Sequence, residues 1–467
     1  MISFCGNYLY QPSCTGFAGL TPLHEAVLLD SVESVNDWIS CSDKDERNFI
    51  GQTPMHLAVM NSRDLLALVK AGHNLGATDI YGLTPLHYAV FTNQEESLMT
   101  LLEACADSGL VGDLESQCNL ITYAACWGRW NIIFRFLCWS EVVFKKEISE
   151  SLAKHAISLL FKDYDHRIGS DVPSHQFLAK CGSVDFTIDA KNNSLLHYAR
   201  SVEDVEALLE HGFTLINHVN SEGWHALMSV AINWCQPYVI QKLLDAGSEI
   251  NLKDNFNHTT LYYVLRNLPY FDLDSNTPTP PATTETLRIL LANDADILCG
   301  DSCRCACSPN GCFPSTPLIC SVPESWMKKK VTLSIWSLEW LRLVSGHRGT
   351  SDARNVLLSF IRKAKFDELN MTHVCCNRLR FGYPSNNSMP DPDIDEILDE
   401  ESEFIEILEN EMALISSKVY ATLLGDWMIQ IKDSLLKACE NNDEFLHYEN
   451  TAPVLLPTTP LLKITTH

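Results

Sequence analysis

Three short segments near the start of the chain repeat one pattern at an almost constant spacing. They read GLTPLHEAV at 19–27, GQTPMHLAV at 51–59 and GLTPLHYAV at 82–90. Their threonines, Thr21, Thr53 and Thr84, lie 32 and 31 residues apart. A fixed period of this length is typical of an array in which each unit buries its apolar face against its neighbours. The sequence therefore favours an extended array over a single globular core.

Each residue of the pattern has a physical role in starting a helix. Threonine can cap a helix, and proline suits the first turn, where its missing N–H costs nothing. The leucine and alanine then face the neighbouring unit, and a second helix follows, as in residues 63–79, with Gly72 as its C-cap. The T-P-L-H-x-A pattern at this period resembles the ankyrin repeat. We therefore expect helix-turn-helix units joined by short finger loops.

Weaker copies of the pattern follow along the chain. They begin at Asn119, Ser194, His225 and Thr259. The stretch between Asn119 and Ser194 has room for one blurred repeat, around ESLAKHAISLLF at 150–161. The predicted fold is an all-α ankyrin-repeat α-solenoid, with a helical C-terminal cap region. The expected divisions are a lead-in (1–14), N-terminal repeats (15–145), a degenerate repeat or connector (146–190), C-terminal repeats with insertions at 270–284 and 298–315 (191–340), a helical C-terminal region with an acidic helix (341–448) and an extended tail (449–467).

The histidines of the pattern could suggest a metal site. They are His24, His56, His87 and His197. Their spacing places one histidine in each layer, too far apart for one ion. We predict that their ring nitrogens form hydrogen bonds to the backbone between units.

A cysteine-rich stretch interrupts the later repeats. It reads DSCRCACSPNGCFPSTPL at 301–318, where a finger loop is expected. The first 43 residues contain no Lys or Arg, so no positively charged export signal is recognised there. We expect a cytoplasmic or nuclear protein that is not secreted, whose 18 cysteines are thiols or metal ligands rather than disulfides.

The spacing of these cysteines predicts a metal site. Zn²⁺ prefers four tetrahedral sulfur or imidazole ligands, and one ion held by three alternating cysteines would be strained. A second source of ligands lies downstream, in FDELNMTHVCCNR at 366–378. The candidate ligands are Cys303, Cys305, Cys307, Cys312, His373, Cys375 and Cys376. One structural zinc ion there would fasten the cap to the array; a redox-responsive module and a cluster of free thiols are the alternatives.

Two cysteine segments carry a more specific resemblance. The stretch from Asp301 to Pro314 and the later Met371 to Cys376 stand before an acidic segment at 393–412. In this combination the chain resembles a set of fungal ankyrin-repeat proteins that have a C-x-C-x-C…C insertion and a later T-H-x-C-C motif. The resemblance implies an architecture and no particular reaction.

The function most favoured is an intracellular scaffold for protein partners. Apolar residues at finger tips are candidate contacts: Phe49, Ile50, Ile80, Tyr81, Trp224 and Phe256. The net charge of −25 favours a partner with basic patches and argues against nucleic acid or an anionic membrane. No phosphate-binding loop, G-x-S-x-G or H-E-x-x-H motif is found, so we expect no enzyme. We also expect a monomer.

Overall fold

The computed structural model describes residues 19–28, 32–60, 62–110, 112–162, 173–233, 235–271, 281–319, 327–374 and 391–429. The predicted lead-in and tail, most of the insertion at 270–284, and both Cys375 and Cys376 lie outside these residues. The chain forms two compact units, 1–186 with 207–213, and 187–206 with 214–467. Among the described residues there is no β-strand, only one isolated bridge between Thr187 and Ser194.

The helices before residue 187 occur mainly as pairs in which a first helix is followed closely by a second. They are α1 (Pro22–Leu28), α2 (Val32–Ile39), α3 (Pro54–Ala58), α4 (Ser62–Lys70), α5 (Pro85–Thr92), α6 (Glu95–Asp107), α7 (Leu114–Cys126), α8 (Trp130–Val143), α9 (Lys146–Lys162) and α10 (Ser174–Leu178).

The same alternation continues after residue 187 and ends in longer helices. The elements are a 3₁₀ helix (Leu195–Tyr198), α11 (Val202–Glu210), α12 (Ala226–Asn233), α13 (Pro237–Asp245), α14 (Thr260–Phe271), α15 (Pro281–Ala292), a second 3₁₀ helix (Thr316–Ile319), α16 (Met327–Arg348), α17 (Thr350–Glu368), α18 (Asp391–Glu400) and α19 (Ser402–Ala421).

The T-P-L-H pattern starts helices in the way its chemistry predicts. Thr53 and Thr84 are extended N-cap residues, each followed by proline in the first helical turn. In these short helices Met55, Ala58 and Ala89 are completely buried, and Leu86 is partly buried. Burial of the apolar face therefore compensates for helices too short to be stable alone.

The motif histidines tie each unit to the next. The Nδ1 atom of His56 accepts a hydrogen bond from the Thr53 N–H (3.1 Å), and its Nε2 lies 3.0 Å from the Leu83 carbonyl oxygen. His197 repeats this with Ser194 (3.2 Å) and with the Trp224 carbonyl (2.9 Å). Burial, the largest cause, lowers the pKa of both imidazoles. The predicted hydrogen bonds between units are confirmed for His24, His56 and His197. The hydrogen bond described for His87 stays within its own unit, where Nδ1 accepts from the Thr84 N–H (3.2 Å).

The degenerate middle of the array differs from its predicted layout. Asn119 does not begin a helix, because α7 starts at Leu114 and Asn119 lies inside it. The reason is Asp113, whose side chain accepts a hydrogen bond from the Ser116 N–H and caps the helix earlier. The blurred repeat contains the 17-residue helix α9. Further on, α16 runs through residue 340, the expected boundary between array and cap.

The finger loops share one five-residue geometry. The Oδ1 atom of the first residue accepts hydrogen bonds from the N–H groups two and four residues later; these first residues are Asn48, Asp79, Asp189, Asn220 and Asp254. The fourth residue is left-handed, as at Gly82 (φ 77) and Asn257 (φ 62). Asparagine serves as well as aspartate in the first position. The geometry thus requires an acceptor oxygen and no charge.

Candidate metal centre

The cysteine stretch is an expanded copy of the ordinary finger. Asp301 Oδ1 accepts hydrogen bonds from the N–H groups of Cys303 and Cys312, both at 2.8 Å. The Asp301 N–H donates to the Cys312 carbonyl (3.2 Å), as the Asp254 N–H donates to the His258 carbonyl (3.0 Å). The first and last residues are 11 positions apart instead of four. We call residues 301–312 the expanded finger.

Two glycines allow this loop to close. Gly311, with φ 83, takes the left-handed position that precedes the last residue of each finger. At Gly300 a Cβ atom would lie only 1.8 Å from the Asn310 carbonyl oxygen, so no side chain fits where the two ends of the loop meet. The base of the expanded finger is therefore held like an ordinary finger, and the added residues project from it.

The added residues pack against the C-terminal helices rather than lying free on the surface. Their buried cysteines share one apolar core with residues of α17, of the segment after it, and of α18 and α19; its members are Cys305, Cys307, Cys312, Phe366, Met371, Val374, Ile394, Leu408 and Met412. The acidic helix pair α18–α19 thus uses its apolar stripe to cover the loop.

Charged side chains fasten the expanded finger to the same helices. The guanidinium of Arg362 on α17 donates from Nε (3.0 Å) and Nη2 (2.8 Å) to the Ala306 carbonyl. It also pairs with Glu409 on α19, with Nη2 2.5 Å from Oε1. Arg304 forms an exposed ion pair with Asp395 on α18. Arg362 is the stronger link because it is mostly buried.

One group of candidate ligands joins the expanded finger to the segment after α17. Cys305, Cys307 and His373 have ligand atoms within 4.8 Å of one another. The His373 Nδ1 lies 3.9 Å from the Cys305 Sγ, across 68 residues of sequence. Asn370, with φ 52, reverses the chain after α17, and Met371 and Val374 on either side of His373 are buried. The imidazole is therefore held against the two thiols.

The far side of the His373 ring has a carboxylate partner. Its Nε2 lies 2.5 Å from Asp367 Oδ1, and Lys363 Nζ is 3.4 Å from the same nitrogen. When Nε2–H donates to the carboxylate, Nδ1 carries the lone pair, and it is Nδ1 that faces the cysteines. Metal-binding histidines are usually oriented by such a carboxylate. Two thiols and this imidazole form a donor set suited to Zn²⁺.

A second group lies at the base of the expanded finger. Asp301, Cys303 and Cys312 also have ligand atoms within 4.8 Å of one another. The Cys305 N–H donates to Cys303 Sγ at 3.3 Å. The seven predicted ligands are thus divided: three lie in the first group, Cys303 and Cys312 lie in the second, and Cys375 and Cys376 are outside the described residues.

Asp301 is not among the seven ligands that the sequence predicts, although its place in a finger is visible in the sequence. It occupies the first position of a finger, where Asp79, Asp189 and Asp254 stand in other copies. Aligning the repeats by that aspartate, instead of by their T-P-L-H segments, would have shown that the cysteines are inserted between Asp301 and the end of its finger.

The predicted contact residues at the finger tips fall into two classes. Phe49, Ile80 and Tyr81 are exposed, at 75, 61 and 54%. Ile50, Trp224 and Phe256 are partly buried. The Trp224 indole N–H lies 3.3 Å from Asp254 Oδ2 and 3.1 Å from the Tyr263 hydroxyl oxygen, so this ring packs within the array. The side chains of Phe49, Ile80 and Tyr81 are therefore accessible to a partner.

A family model for ankyrin repeats, in three copies, matches residues 23–111. With the paired helices and the repeated fingers, this confirms ankyrin repeats and the prediction of an all-α solenoid built from them. No curated protein matches the chain. No helix in the described part of the chain is long and apolar enough to cross a membrane.

Three solved structures have local likenesses to the chain. The ankyrin repeat domain of Bcl-3 is 24% identical, with a TM-score of 0.29, covering 52% of this chain and 93% of that one. The human ASB11 ankyrin repeat domain is 16% identical, with a TM-score of 0.28, covering 59% and 99%. The Bdellovibrio bacteriovorus endopeptidase Bd0816 in complex with immunity protein Bd3460 is 18% identical, with a TM-score of 0.18, covering 52% and 90%.

Proposed function

We propose that the chain is a non-enzymatic scaffold that binds a protein partner through its finger tips. The observation that carries the proposal is the row of exposed apolar side chains on two successive fingers, Phe49 on one and Ile80 and Tyr81 on the next. The two fingers are joined by a hydrogen bond from the Ile80 N–H to the Ile50 carbonyl (3.1 Å). Aromatic residues presented on a rigid support are the usual anchors of protein interfaces.

The charge of the chain favours a basic partner surface. The net charge is −25, and the segment before Phe49 exposes the carboxylates of Asp43 and Asp45. The cationic Arg47 nearby is engaged, since its guanidinium donates to the carbonyls of Gly51 and Thr78. A partner with Lys or Arg around an apolar patch would complement this surface.

The test uses a photo-crosslinking residue at position 81, followed by affinity measurements on the purified captured protein. We expect Tyr81→Ser to weaken binding by about tenfold or more, which is about 1.4 kcal/mol. The matched control is Tyr238→Ser, because Tyr238 is equally aromatic, is 79% exposed and lies on α13. Loss of binding in the control with none in Tyr81→Ser would overturn the proposal.

We also propose that Cys305, Cys307 and His373 hold a structural zinc ion. The orientation of His373 supports this, with Nδ1 toward Cys305 and Nε2 on Asp367. The ion would fasten the expanded finger to the segment that follows α17. A reducing cytoplasm or nucleus would keep these thiols available.

Zinc content measured by mass spectrometry on the purified full chain tests this site. We expect bound zinc, and we expect both Cys305→Ser and His373→Ala to lose the ion from this group. Asp367→Asn leaves the ligands intact, and should weaken zinc retention by about tenfold or more through loss of the oriented carboxylate. Protein without metal after purification under reducing conditions would contradict the proposal and favour free or redox-active thiols.

A further inference from the structure

We propose that Asp301, Cys303 and Cys312 form a second zinc site, separate from that of Cys305, Cys307 and His373. The inference rests on the proposed zinc chemistry of the expanded finger, and it goes further in assigning two ions to the chain instead of one. Its starting point is the comparison of Asp301 with the aspartates that occupy the same position in ordinary fingers.

In ordinary fingers the second carboxylate oxygen has a tyrosine partner. The Tyr88 hydroxyl donates to Asp79 Oδ2 at 2.9 Å, and the Tyr198 hydroxyl donates to Asp189 Oδ2 at 2.7 Å. Tyr263 does the same for Asp254, at 2.5 Å. In each case the tyrosine lies nine residues after the aspartate, and both oxygens of the carboxylate are satisfied within the repeat.

Asp301 has the usual hydrogen bonds to its Oδ1 atom but a different partner for its Oδ2 atom. Its Oδ1 accepts the two finger N–H groups, while its Oδ2 lies 3.5 Å from His258 Nε2. The thiols of Cys303 and Cys312 lie beside this carboxylate, which is 10% exposed. The buried Asp301 carboxylate disfavours the loss of a proton from either neighbouring thiol, because like charges would then lie close together, unless a cation binds all three groups.

Zinc would satisfy this group by its ordinary chemistry. Two thiolates and a carboxylate oxygen are three of the four ligands of a tetrahedral site. His258 Nε2, which faces the same carboxylate oxygen, or a water molecule could supply the fourth. Each cysteine releases a proton as it binds, so two thiols become two thiolates and the two protons leave to solvent.

The local backbone also favours a negative charge on sulfur at Cys303. The Cys305 N–H donates to Cys303 Sγ at 3.3 Å, and a hydrogen bond to a thiolate stabilises it more than one to a neutral thiol. The ammonium group of Lys253 lies at the loop base, where Nζ is 3.3 Å from the Gly300 carbonyl oxygen. This cation offsets part of the excess charge that two thiolates and a carboxylate would leave on one zinc ion.

One ion cannot take all six residues. Zinc has four coordination positions, and each of the two groups offers three side chains. Cys303 and Cys312 lie beside Asp301 at the finger hydrogen bonds, and Cys305 and Cys307 lie beside His373. Cys312 also belongs to the apolar core that contains Cys305 and Cys307, and Cys303 packs against it. Cys303 and Cys312 would hold one ion beside Asp301, and Cys305 and Cys307 would hold the other ion beside His373.

The test counts zinc ions per full-length chain in the wild type and in single variants. We expect about two zinc ions in the wild type and about one in Cys303→Ser, Cys312→Ser and Cys305→Ser. After removal of metal, titration with Co²⁺ should show thiolate-to-cobalt absorption in each single variant, because each retains the other site with its pair of thiolates.

Asp301→Asn is the most discriminating variant. Asn48 and Asn220 hold ordinary fingers through the same two N–H bonds, so the amide should preserve the loop. It removes the anionic ligand, and we expect one of the two ions to be lost to a mild chelator at least about tenfold faster. Asp254→Asn, which makes the same change in an ordinary finger, should leave both ions in place.

The outcomes separate this inference from the proposal on which it rests. One zinc ion in the wild type, lost in Cys305→Ser and retained in Cys303→Ser and Cys312→Ser, would overturn the second site and leave the first. Two ions that both leave in every single variant would overturn the separation of the sites. Protein without zinc would overturn both the second site and the first.

Discussion

The Asp254 finger and the expanded finger have the same hydrogen bonds at their ends and differ in the residues between those ends. In both, one carboxylate oxygen accepts two backbone N–H groups, and the first and last residues share a backbone hydrogen bond. In the Asp254 finger the intervening residues turn the chain and contact the preceding finger, since the Asn255 side chain donates to the Ser221 carbonyl (3.0 Å). In the expanded finger they carry three cysteines, a fourth stands at the end of the loop, and the loop packs into the core with α17 and α19.

The comparison shows why an insertion is tolerated here. The hydrogen bonds that define a finger involve its first, third and last residues, so residues added between the third and the fourth position break none of them. Extra loop length adds little unfavourable closure entropy when the ends are already fixed. The added residues are then free to take up contacts elsewhere, such as those with Arg362 and with His373.

The ordinary repeats and the expanded finger should also lose their structure under different conditions. The ordinary T-P-L-H units depend on neutral imidazoles, because desolvation is the main cause that lowers the pKa values of their histidines. His24, His56 and His197 are buried, and His87 is partly buried. Ile319 takes the histidine position in the copy that follows the expanded finger. The array should therefore be acid-sensitive, whereas the expanded finger should respond to a chelator.

The largest effect is expected from acid. His225 is fully buried at the start of α12, and burial lowers its pKa to about 4. Below pH 6.5 the unfolded chain binds protons that the folded chain excludes, so stability is complete above pH 6.5 and declines as the pH falls toward 4. This residue alone should remove about 2.5 kcal/mol between pH 7.5 and 4.5, measured by urea denaturation, and the lowered pKa values of His24, His56 and His197 add to this loss.

The matched variant for this experiment is His225→Thr. Threonine is the residue that Thr53 and Thr84 place at the same position, so it restores the usual cap. We expect the variant to have a shallower loss of stability between pH 6.5 and 4.5 than the wild type. Identical pH profiles for the two proteins would mean that His225 is not the group excluded from protonation.

The next largest effect should come from the base of an ordinary finger. Asp254→Ala removes the acceptor for the N–H groups of Phe256 and His258, and for the Tyr263 hydroxyl. Leaving these buried donors unsatisfied should lower the free energy of unfolding by about 3 kcal/mol. Asp254→Asn keeps the acceptor for the two N–H groups and should cost about half as much. Equal losses in the two variants would show that charge, and not the acceptor geometry, holds the finger.

How far the sequence anticipates these features depends on whether a pattern is local. Thr53 and His56 are three residues apart and recur with the period, so their roles follow from local chemistry and spacing. Asp113 is a local cap as well, but it belongs to a unit without the T-P-L-H letters, where the predicted copy begins at Asn119 and the helix itself begins earlier, at Leu114. Local sequence signals therefore predict the start of a helix correctly where the T-P-L-H motif is present, and incorrectly where it has been lost.

The division of the cysteines could not be obtained from spacing alone. Alternation along an extended chain predicts that Cys303, Cys305 and Cys307 point the same way. The finger hydrogen bonds instead fix Cys303 next to Asp301 and Cys312, while Met371 and Val374 anchor His373 beside the other two. Both effects involve residues distant in sequence, and Arg362, which fastens the loop, has no motif at all.

Arg362 provides the third test, since it holds the expanded finger and has no counterpart among the contacts described for the Asp254 finger. Arg362→Ala removes two hydrogen bonds to the Ala306 carbonyl and a partly buried pair with Glu409. We expect a loss of about 2 kcal/mol in the free energy of unfolding, seen as a lower urea midpoint. Faster proteolysis within 301–312 should accompany it, with the ordinary fingers unchanged. Uniform sensitivity of all fingers to protease would contradict a local role.

The smallest effect should come from the other cation of the same loop. Arg304 pairs with Asp395, and both side chains are about half exposed. An exposed pair gains little, because water screens the charges and two long side chains lose freedom, so Arg304→Ala should change the free energy of unfolding by less than about 1 kcal/mol. The difference between Arg362→Ala and Arg304→Ala, measured in the same buffer, separates buried fastening from surface charge. If Arg304→Ala proved as damaging as Arg362→Ala, the acidic helix α18 would have to hold the expanded finger as firmly as α17 and α19 do.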